Sequence, residues 1–312
     1  MKYCVLGAGG CGASIAGYLE RAGMDVTLIA RGAHGSAIRE RGLILHTTAD
    51  GELCVPVQVA ETDSYEERPD VVFVCVKSYS IPDVLPFLQR VTGTDTVVIP
   101  ILNGYGVGER LQQELPGRLV TDSCIYIAAY RSAVGEITIG GAIFRIVYGV
   151  RDVAELTDQT ARVLFETAKD LRESGIEVQI SEEIRRDTLL KFSMVSPMAA
   201  CGLYYNCHAE AMQRAGEERL LFEDLVREIE QLAAALGHPF LVDAVKTNRD
   251  ILDGIAPDSA ASVQRDIWAG QNSEIETFLV TPIRLAREVG FTLPHYEMVA
   301  EKLKEQGLLS EV

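Results

Sequence analysis

Lys2-Tyr3-Cys4-Val5-Leu6-Gly7-Ala8-Gly9-Gly10-Cys11-Gly12-Ala13-Ser14-Ile15 opens the chain, and its reading decides the fold. Residues 3–6 form an uninterrupted apolar run. A helix-length stretch follows over roughly 10–22, with Gly23 placed to end it. Between them, glycines at 7, 9 and 12 take a Gly-x-Gly-x-x-Gly spacing in a strand–turn–helix setting. The first glycine of such a set permits the tight turn, and the second lets a pyrophosphate approach the backbone. The third lets the helix pack closely on the strand. The open N–H groups at the helix N-terminus then meet the negative phosphates. Gly7, Ala8, Gly9, Gly10, Cys11 and Gly12 are therefore the candidate dinucleotide-binding turn. The alternative is a glycine-rich turn without a ligand.

Further apolar runs at 26–30, 71–76 and 96–101 are rich in Val and Ile and lack polar alternation. That is the signature of strands buried on both faces of a parallel sheet. From about 119 to 149 the rhythm shifts to period two, with turns expected at Gly135-Glu136 and Gly140-Gly141. This predicts antiparallel edge strands extending the same sheet. A helix is expected over 152–174 and a last strand over 177–180. Strand signals then stop, and helical patterns occupy about 182–195, 208–237, 240–253, 271–290 and 295–306. The fold class is α/β: an N-terminal Rossmann-type dinucleotide-binding domain over 1–181, followed by an all-helical C-terminal domain over 182–312.

Composition narrows the partners. The 312 residues carry 45 acidic and 29 basic side chains, a formal net charge of −16. So acidic a chain is not expected to bind nucleic acid or an anionic membrane through its bulk field. No run of about 18 apolar residues is present, so no membrane span is expected. The first strand begins at once, which leaves no room for a signal peptide. Seven cysteines, an odd number without a Cys-x-x-Cys pair, suggest reduced thiols in a cytoplasm. The five histidines show no ligand spacing, and no metal site is expected.

The end of the second strand bears on the choice of dinucleotide. An NAD site usually places a carboxylate there to hold the ribose 2′-hydroxyl. Val26-Thr27-Leu28-Ile29-Ala30 runs instead into Arg31, a cation that could pair with the 2′-phosphate of NADP. Otherwise Arg31 is a surface arginine. Lys77, after the third strand, either touches that phosphate or is solvated. Asn103-Gly104 follows the fourth strand and reads as a turn or as a pocket residue.

In the helical half, Ile184, Thr188, Lys191 and Val195 share one helix face, with Ser181 as the expected N-cap. Lys191 either snorkels to the rim of that stripe or presents its ammonium to a ligand. Ser262 and Asp266 are one turn apart, and Ser273-Glu274-Ile275-Glu276 opens the stretch that runs through Pro282. On spacing alone these acids read as a solvated helix start.

Taken together, these residues resemble the ketopantoate reductase (2-dehydropantoate 2-reductase) family over about residues 1–300. The likeness rests on Gly7 to Gly12, Arg31, Val76-Lys77, Asn103-Gly104, Lys191-Phe192 and Ser262 to Glu276. It implies a Rossmann domain followed by a helical domain, with the active site between them. It further implies NADPH as cofactor and reduction of the C2 carbonyl of ketopantoate to pantoate, in pantothenate and coenzyme A biosynthesis. Lys191 then matches the catalytic lysine and Glu274 the active-site glutamate. Ser262 matches the serine that binds the substrate carboxylate, and Asn103 lines the nicotinamide and substrate pocket. Arg31 and Lys77 match the positions that contact the 2′-phosphate, and Asp266 matches a structural aspartate.

One departure stands out. Where many members have asparagines one and two turns after the lysine, this chain has Val195 and Ala199. Ser196 is the nearest polar side chain and the expected substrate contact in their place. The departure keeps open a reductase of another branched 2-oxo acid, or a non-catalytic protein that senses NADPH. A homodimer is compatible with the apolar faces of the helical half.

Overall fold

The computed structural model describes residues 1–309, which fall into two compact units. The first comprises Met1–Leu102 and Gly106–Ile184, and the second comprises Asn103–Tyr105 and the chain from Arg185 onward.

In the first unit, strands β1 (Lys2–Leu6), β2 (Asp25–Ile29), β3 (Leu43–Thr47), β4 (Gly51–Val55) and β5 (Gln58–Ala60) precede β6 (Val71–Val74), β7 (Val97–Pro100) and β8 (Leu119–Val120). Helices α1 (Gly10–Arg21), α2 (Gly32–Arg41), α3 (Ile81–Val91) and α4 (Val107–Glu114) connect them. Six strands form a parallel sheet in the order β5-β2-β1-β6-β7-β8. Its strands are apolar at successive positions because both faces are covered. Tyr3, Val5 and Phe73 pack into a cluster with Ile15 and Leu19 of α1. Their neighbours Cys4, Leu6, Val72 and Val74 point the other way, onto Leu88 of α3 and Leu111 of α4.

The long strands β9 (Asp122–Ala133) and β10 (Glu136–Gly149) form the expected hairpin, turning at Gly135 with φ +83°. They do not extend the first sheet. β10 pairs on its other edge with β3 and, further along, with β11 (Glu177–Ile180), and β4 lies antiparallel to β3. The result is a second, five-stranded sheet. Helix α1 packs against strands of both sheets, so Leu43, Leu45, Ile137 and Ile146 join the same core as Val5 and Leu28. Gly140-Gly141 is not a turn either; it lies inside β10, where the register to β9 slips between Gly140 and Arg145. Paired glycines suit a bulge as well as a turn. The helix expected over 152–174 starts only at Asp158, as α5 (Asp158–Glu173). Thr157 sets that start: its Oγ1 accepts the Thr160 N–H at 3.1 Å, and Thr160 Oγ1 accepts the Thr157 N–H at 3.0 Å.

The second unit contains α7 (Ala209–Gln213), α8 (Glu217–Ala235), α9 (Ala244–Gly254), α10 (Ser262–Trp268), α11 (Thr281–Glu288) and α12 (Pro294–Glu305). They follow α6 (Ile184–Tyr205), which begins at the division between the units. The expected helix over 182–195 is longer than its pattern suggested, because α6 continues through Pro197 for 22 residues. Proline has no N–H for the carbonyl four residues earlier. That carbonyl, of Ser193, is instead served by the side chain of buried Asn248, whose Nδ2 donates to it at 3.0 Å and to Ser193 Oγ at 2.8 Å. Pro282 poses the same problem to the carbonyl of Phe278. Residues Glu276–Val280 widen into a π-turn, and Ser196 Oγ donates to the Phe278 carbonyl at 2.7 Å. The stretch expected as one helix over 271–290 is therefore a coil, a π-turn and α11.

Removing the Asn248 amide should orphan the Ser193 carbonyl. Asn248→Ala is expected to cost about 1–3 kcal/mol of unfolding free energy in urea titration. In a Pro197→Ala background the helix regains its own N–H, and the cost of Asn248→Ala should fall. Equal costs in both backgrounds would remove Asn248 from this role.

Candidate active site

The glycine turn joins β1 to α1, and each of its glycines has a separate steric reason. Gly7 holds φ +111°, and a Cβ there would lie 2.8 Å from the Cys75 carbonyl oxygen. A Cβ on Gly12 would lie 2.0 Å from the Gly7 oxygen, and one on Gly10 would lie 2.4 Å from the Ala129 oxygen of β9. A Cβ on Gly9 would touch nothing within 4 Å. Gly9 is thus the open side of the turn, while the others are fixed by packing. Gly9 is also the N-cap of α1, without a side-chain cap, and the first turn carries no acidic residue. Positive backbone partial charge therefore faces that open side undiminished. The turn fits a pyrophosphate.

Beside it, β2 ends at Ile29, Ala30 is buried, and Arg31 is exposed as the N-cap of α2. No acidic residue occupies the first turn of α2. Lys77 is partly buried after β6 and begins a short 3-10 turn over Ser78–Ser80.

His34 carries no functional signature in the sequence. It lies in the first turn of α2, is 8% exposed, and its Nδ1 accepts the Gly135 N–H at 2.9 Å. Its Nε2 is sealed from solvent and has no hydrogen-bond partner among the described residues. The imidazole therefore links the start of α2 to the tip of the β9–β10 hairpin. No local pattern signals this, since the partners lie far apart in sequence. Burial, and after it the charge of Arg131, hold the His34 pKa below its ordinary value.

The remaining candidates belong to the second unit, which also takes in Asn103–Tyr105 from the loop after β7. Lys191 and Val195 are partly buried on α6, while Ile184 and Thr188 of the same stripe are buried. Glu274 is 5% exposed and sits just before the π-turn, where its carbonyl accepts the Phe278 N–H at 3.2 Å. Ser262 is the first residue of α10 and Asp266 lies one turn on, both partly buried. Gln264 fixes that helix start: its Oε1 accepts the Ala261 N–H at 3.0 Å and its Nε2 donates to the Cys207 carbonyl at 3.0 Å. Gly202 of α6 leaves room for this amide. Ser196 has different surroundings from those expected of a substrate ligand. It is fully buried, its proton goes to the Phe278 carbonyl, and its oxygen lies 2.6 Å from the Tyr296 hydroxyl. Ser196 is a core tie between α6, the π-turn and α12. Among the described residues no group of three or more His, Cys, Asp or Glu could hold a metal ion. No helix among them is long and apolar enough to cross a membrane.

The class defined by this sheet, glycine turn and helical unit agrees with what known proteins show. Residues 3–152 match the family model of ketopantoate reductase PanE/ApbA, and residues 183–307 match that of its C-terminal domain. The chain belongs to the ketopantoate reductase family, whose members are oxidoreductases. It is 26% identical to an uncharacterized oxidoreductase of Bacillus subtilis, YkpB, over 97% of this chain and 98% of the relative. It is also 26% identical to the 2-dehydropantoate 2-reductase of Pyrococcus horikoshii, over 94% and 93%. Two solved structures share the fold. A D-mandelate dehydrogenase with NADH and anilino(oxo)acetate has a TM-score of 0.87 at 20% identity, covering 99% of each chain. A dimeric ketopantoate reductase of Staphylococcus aureus has a TM-score of 0.81 at 20% identity, covering 98% of each.

The His34 environment gives a pH prediction. An imidazole held neutral in the fold but free to protonate when unfolded leaves stability full above about pH 6.5. That stability is lost as pH falls from there to the lowered folded value. Thermal melts between about pH 7.5 and 5.5 should show a smaller fall in Tm for His34→Gln than for the unaltered protein. Parallel curves would contradict the assignment.

Proposed function

We propose that this protein is an NADPH-dependent 2-oxo acid reductase, with 2-dehydropantoate as the leading substrate. The observation that carries the reading is that the helical unit keeps a partly buried lysine, Lys191, and a buried carboxylate, Glu274. Cofactor sensing alone needs neither. A reduced nicotinamide dinucleotide, held by Gly7, Ala8, Gly9, Gly10, Cys11 and Gly12, would supply the hydride for the C2 carbonyl. Arg31, with Lys77, would hold the 2′-phosphate, and the cation in place of a carboxylate after β2 supports NADPH over NADH. Asn103 would line the nicotinamide and substrate pocket.

As negative charge builds on the C2 oxygen, the Lys191 ammonium would stabilise it and donate the proton that completes the alcohol. Glu274 would hold the far hydroxyl of the substrate and offset the lysine's charge. Ser262 Oγ would donate a hydrogen bond to the substrate carboxylate. Ser196 is left out of the substrate contacts, since its hydroxyl is already engaged in the core.

One feature favours a second reading. Val195, one turn after Lys191, packs against the helical core, and Ala199 is fully buried. Val195, the partly exposed one of the two, offers apolar contact where a hydroxylated substrate would ask for hydrogen bonds. It suits a 2-oxo acid with a branched or aromatic side chain, and the fold is shared with a D-mandelate dehydrogenase. A homodimer, as in the Staphylococcus aureus structure, and a cytoplasmic location complete the proposal.

Oxidation of NADPH should be measured with ketopantoate, 2-oxoisovalerate, phenylglyoxylate and pyruvate. Turnover of ketopantoate above the others is the expected result; a preference for an apolar acid would select the second reading, and none at all would sink both. Lys191→Ala should lower kcat at least about 100-fold, the range of general-acid catalysis. Near-normal turnover would take Lys191 out of the mechanism. Arg31→Ala should erase most of the preference for NADPH over NADH; an unchanged ratio would show that Arg31 does not read the 2′-phosphate.

A further inference from the structure

Strand β9 is built against the glycine turn. The missing Cβ of Gly10 would lie 2.4 Å from the Ala129 oxygen and 2.9 Å from the Tyr130 nitrogen, so backbone meets backbone there. Along β9, Ile125, Ile127 and Ala129 pack into the core around α1. Strand alternation puts Arg131 on that same face, about 7 Å beyond Ala129. Arg131 is exposed, and among the described residues its guanidinium forms neither hydrogen bond nor ion pair. Its position is fixed from two sides. The register pairs it with buried Ile137, and the hairpin tip is held to α2 by the Gly135 N–H on His34. The charge of Arg131 is felt at His34, three residues after Arg31. The hairpin that carries Arg131 thus meets both the start of α1, at Gly10, and the first turn of α2, which Arg31 caps, and neither helix has an acidic residue in its first turn.

We propose that Arg131 is a second cationic arm of the dinucleotide site, closing with Arg31 on the phosphate at the ribose 2′ position. The assignment rests on the NADPH reading above. Two guanidinium groups on one phosphate bind it as a fork from two sides, and a phosphate favours this where a neutral hydroxyl gains little. Arg31 comes from the helix after β2, whereas Arg131 comes from the second sheet. The 2′-phosphate would then bridge the two layers of the first unit.

The test is equilibrium binding, with no turnover required. Dissociation constants for NADPH, NADH, adenosine 2′,5′-bisphosphate and 5′-AMP are measured on the unaltered protein, Arg31→Ala, Arg131→Ala and Arg131→Lys. Melting curves establish that each variant is folded. Arg131→Ala should weaken NADPH and the bisphosphate at least about 10-fold, the scale of one charged hydrogen bond. NADH and 5′-AMP should change less than about twofold, and Arg131→Lys should recover part of the loss. Unchanged NADPH affinity in Arg131→Ala, with the bisphosphate still preferred, would overturn this assignment alone. An equal loss for all four ligands would also overturn it, because the arm would then serve the shared phosphates or the fold. Equal affinity of the unaltered protein for NADPH and NADH would overturn the cofactor reading and this assignment with it.

Discussion

The first unit depends on how closely helix α1 approaches its surroundings. α1 lies against strands of two sheets; at two places backbone comes too near for a Cβ, and at a third a side chain would have to shift. A Cβ on Gly12 would strike the Gly7 carbonyl, one on Gly10 the Ala129 carbonyl, and one on Gly17 the Leu45 side chain at 2.8 Å. The glycine spacing is therefore a packing requirement in its own right. Of the glycines in the turn, Gly9 has open space, and the polar end of a closely gripped helix faces it. The same close approach that builds the core leaves the N–H groups of α1 without competing side chains, which is the condition an anion site needs.

The helical unit solves a different problem. Two prolines interrupt helical segments that carry candidate catalytic residues, and each leaves a carbonyl without its usual donor. Asn248 serves Ser193, and Ser196 serves Phe278. A buried orphan carbonyl is costly, so these side chains must stay where they are. Their effect reaches beyond stability. Ser196 ties α6, the helix of Lys191, to the π-turn that follows Glu274, while Gln264 ties the start of α10, with Ser262, to the end of α6. The candidate residues are held on a frame of satisfied polar groups.

Much of this was legible in the chain. The parallel strands announced themselves as apolar runs such as Val71–Val74, because burial on both faces removes polar alternation. The hairpin turn at Gly135 is legible because its left-handed φ calls for glycine, whereas Gly140-Gly141 lies inside β10, since a bulge and a turn ask the same freedom of glycine. Strands β3, β4 and β5 give no such signal: β3 alternates buried with half-buried positions, and β4 and β5 carry exposed ones. Ser196 looked like a substrate contact because it is the polar residue nearest the lysine's stripe; burial makes it a core tie. His34 and Arg131 had no sequence signature, because what distinguishes them is contact across the layers.

What the sequence alone determined were the features encoded by neighbouring residues. These are the buried parallel strands, the strand–turn–helix with its glycines, the cation after β2, and the helical periodicity of the second half. Backbone freedom, side-chain period and capping act within a few residues, so they can be read locally. Only the tertiary structure decided which groups meet across long separations. The His34–Gly135 contact spans 101 residues, Asn248–Ser193 spans 55 and Ser196–Phe278 spans 82. Each joins polar groups that would be unsatisfied in the core, and that demand arises only once burial has taken water away.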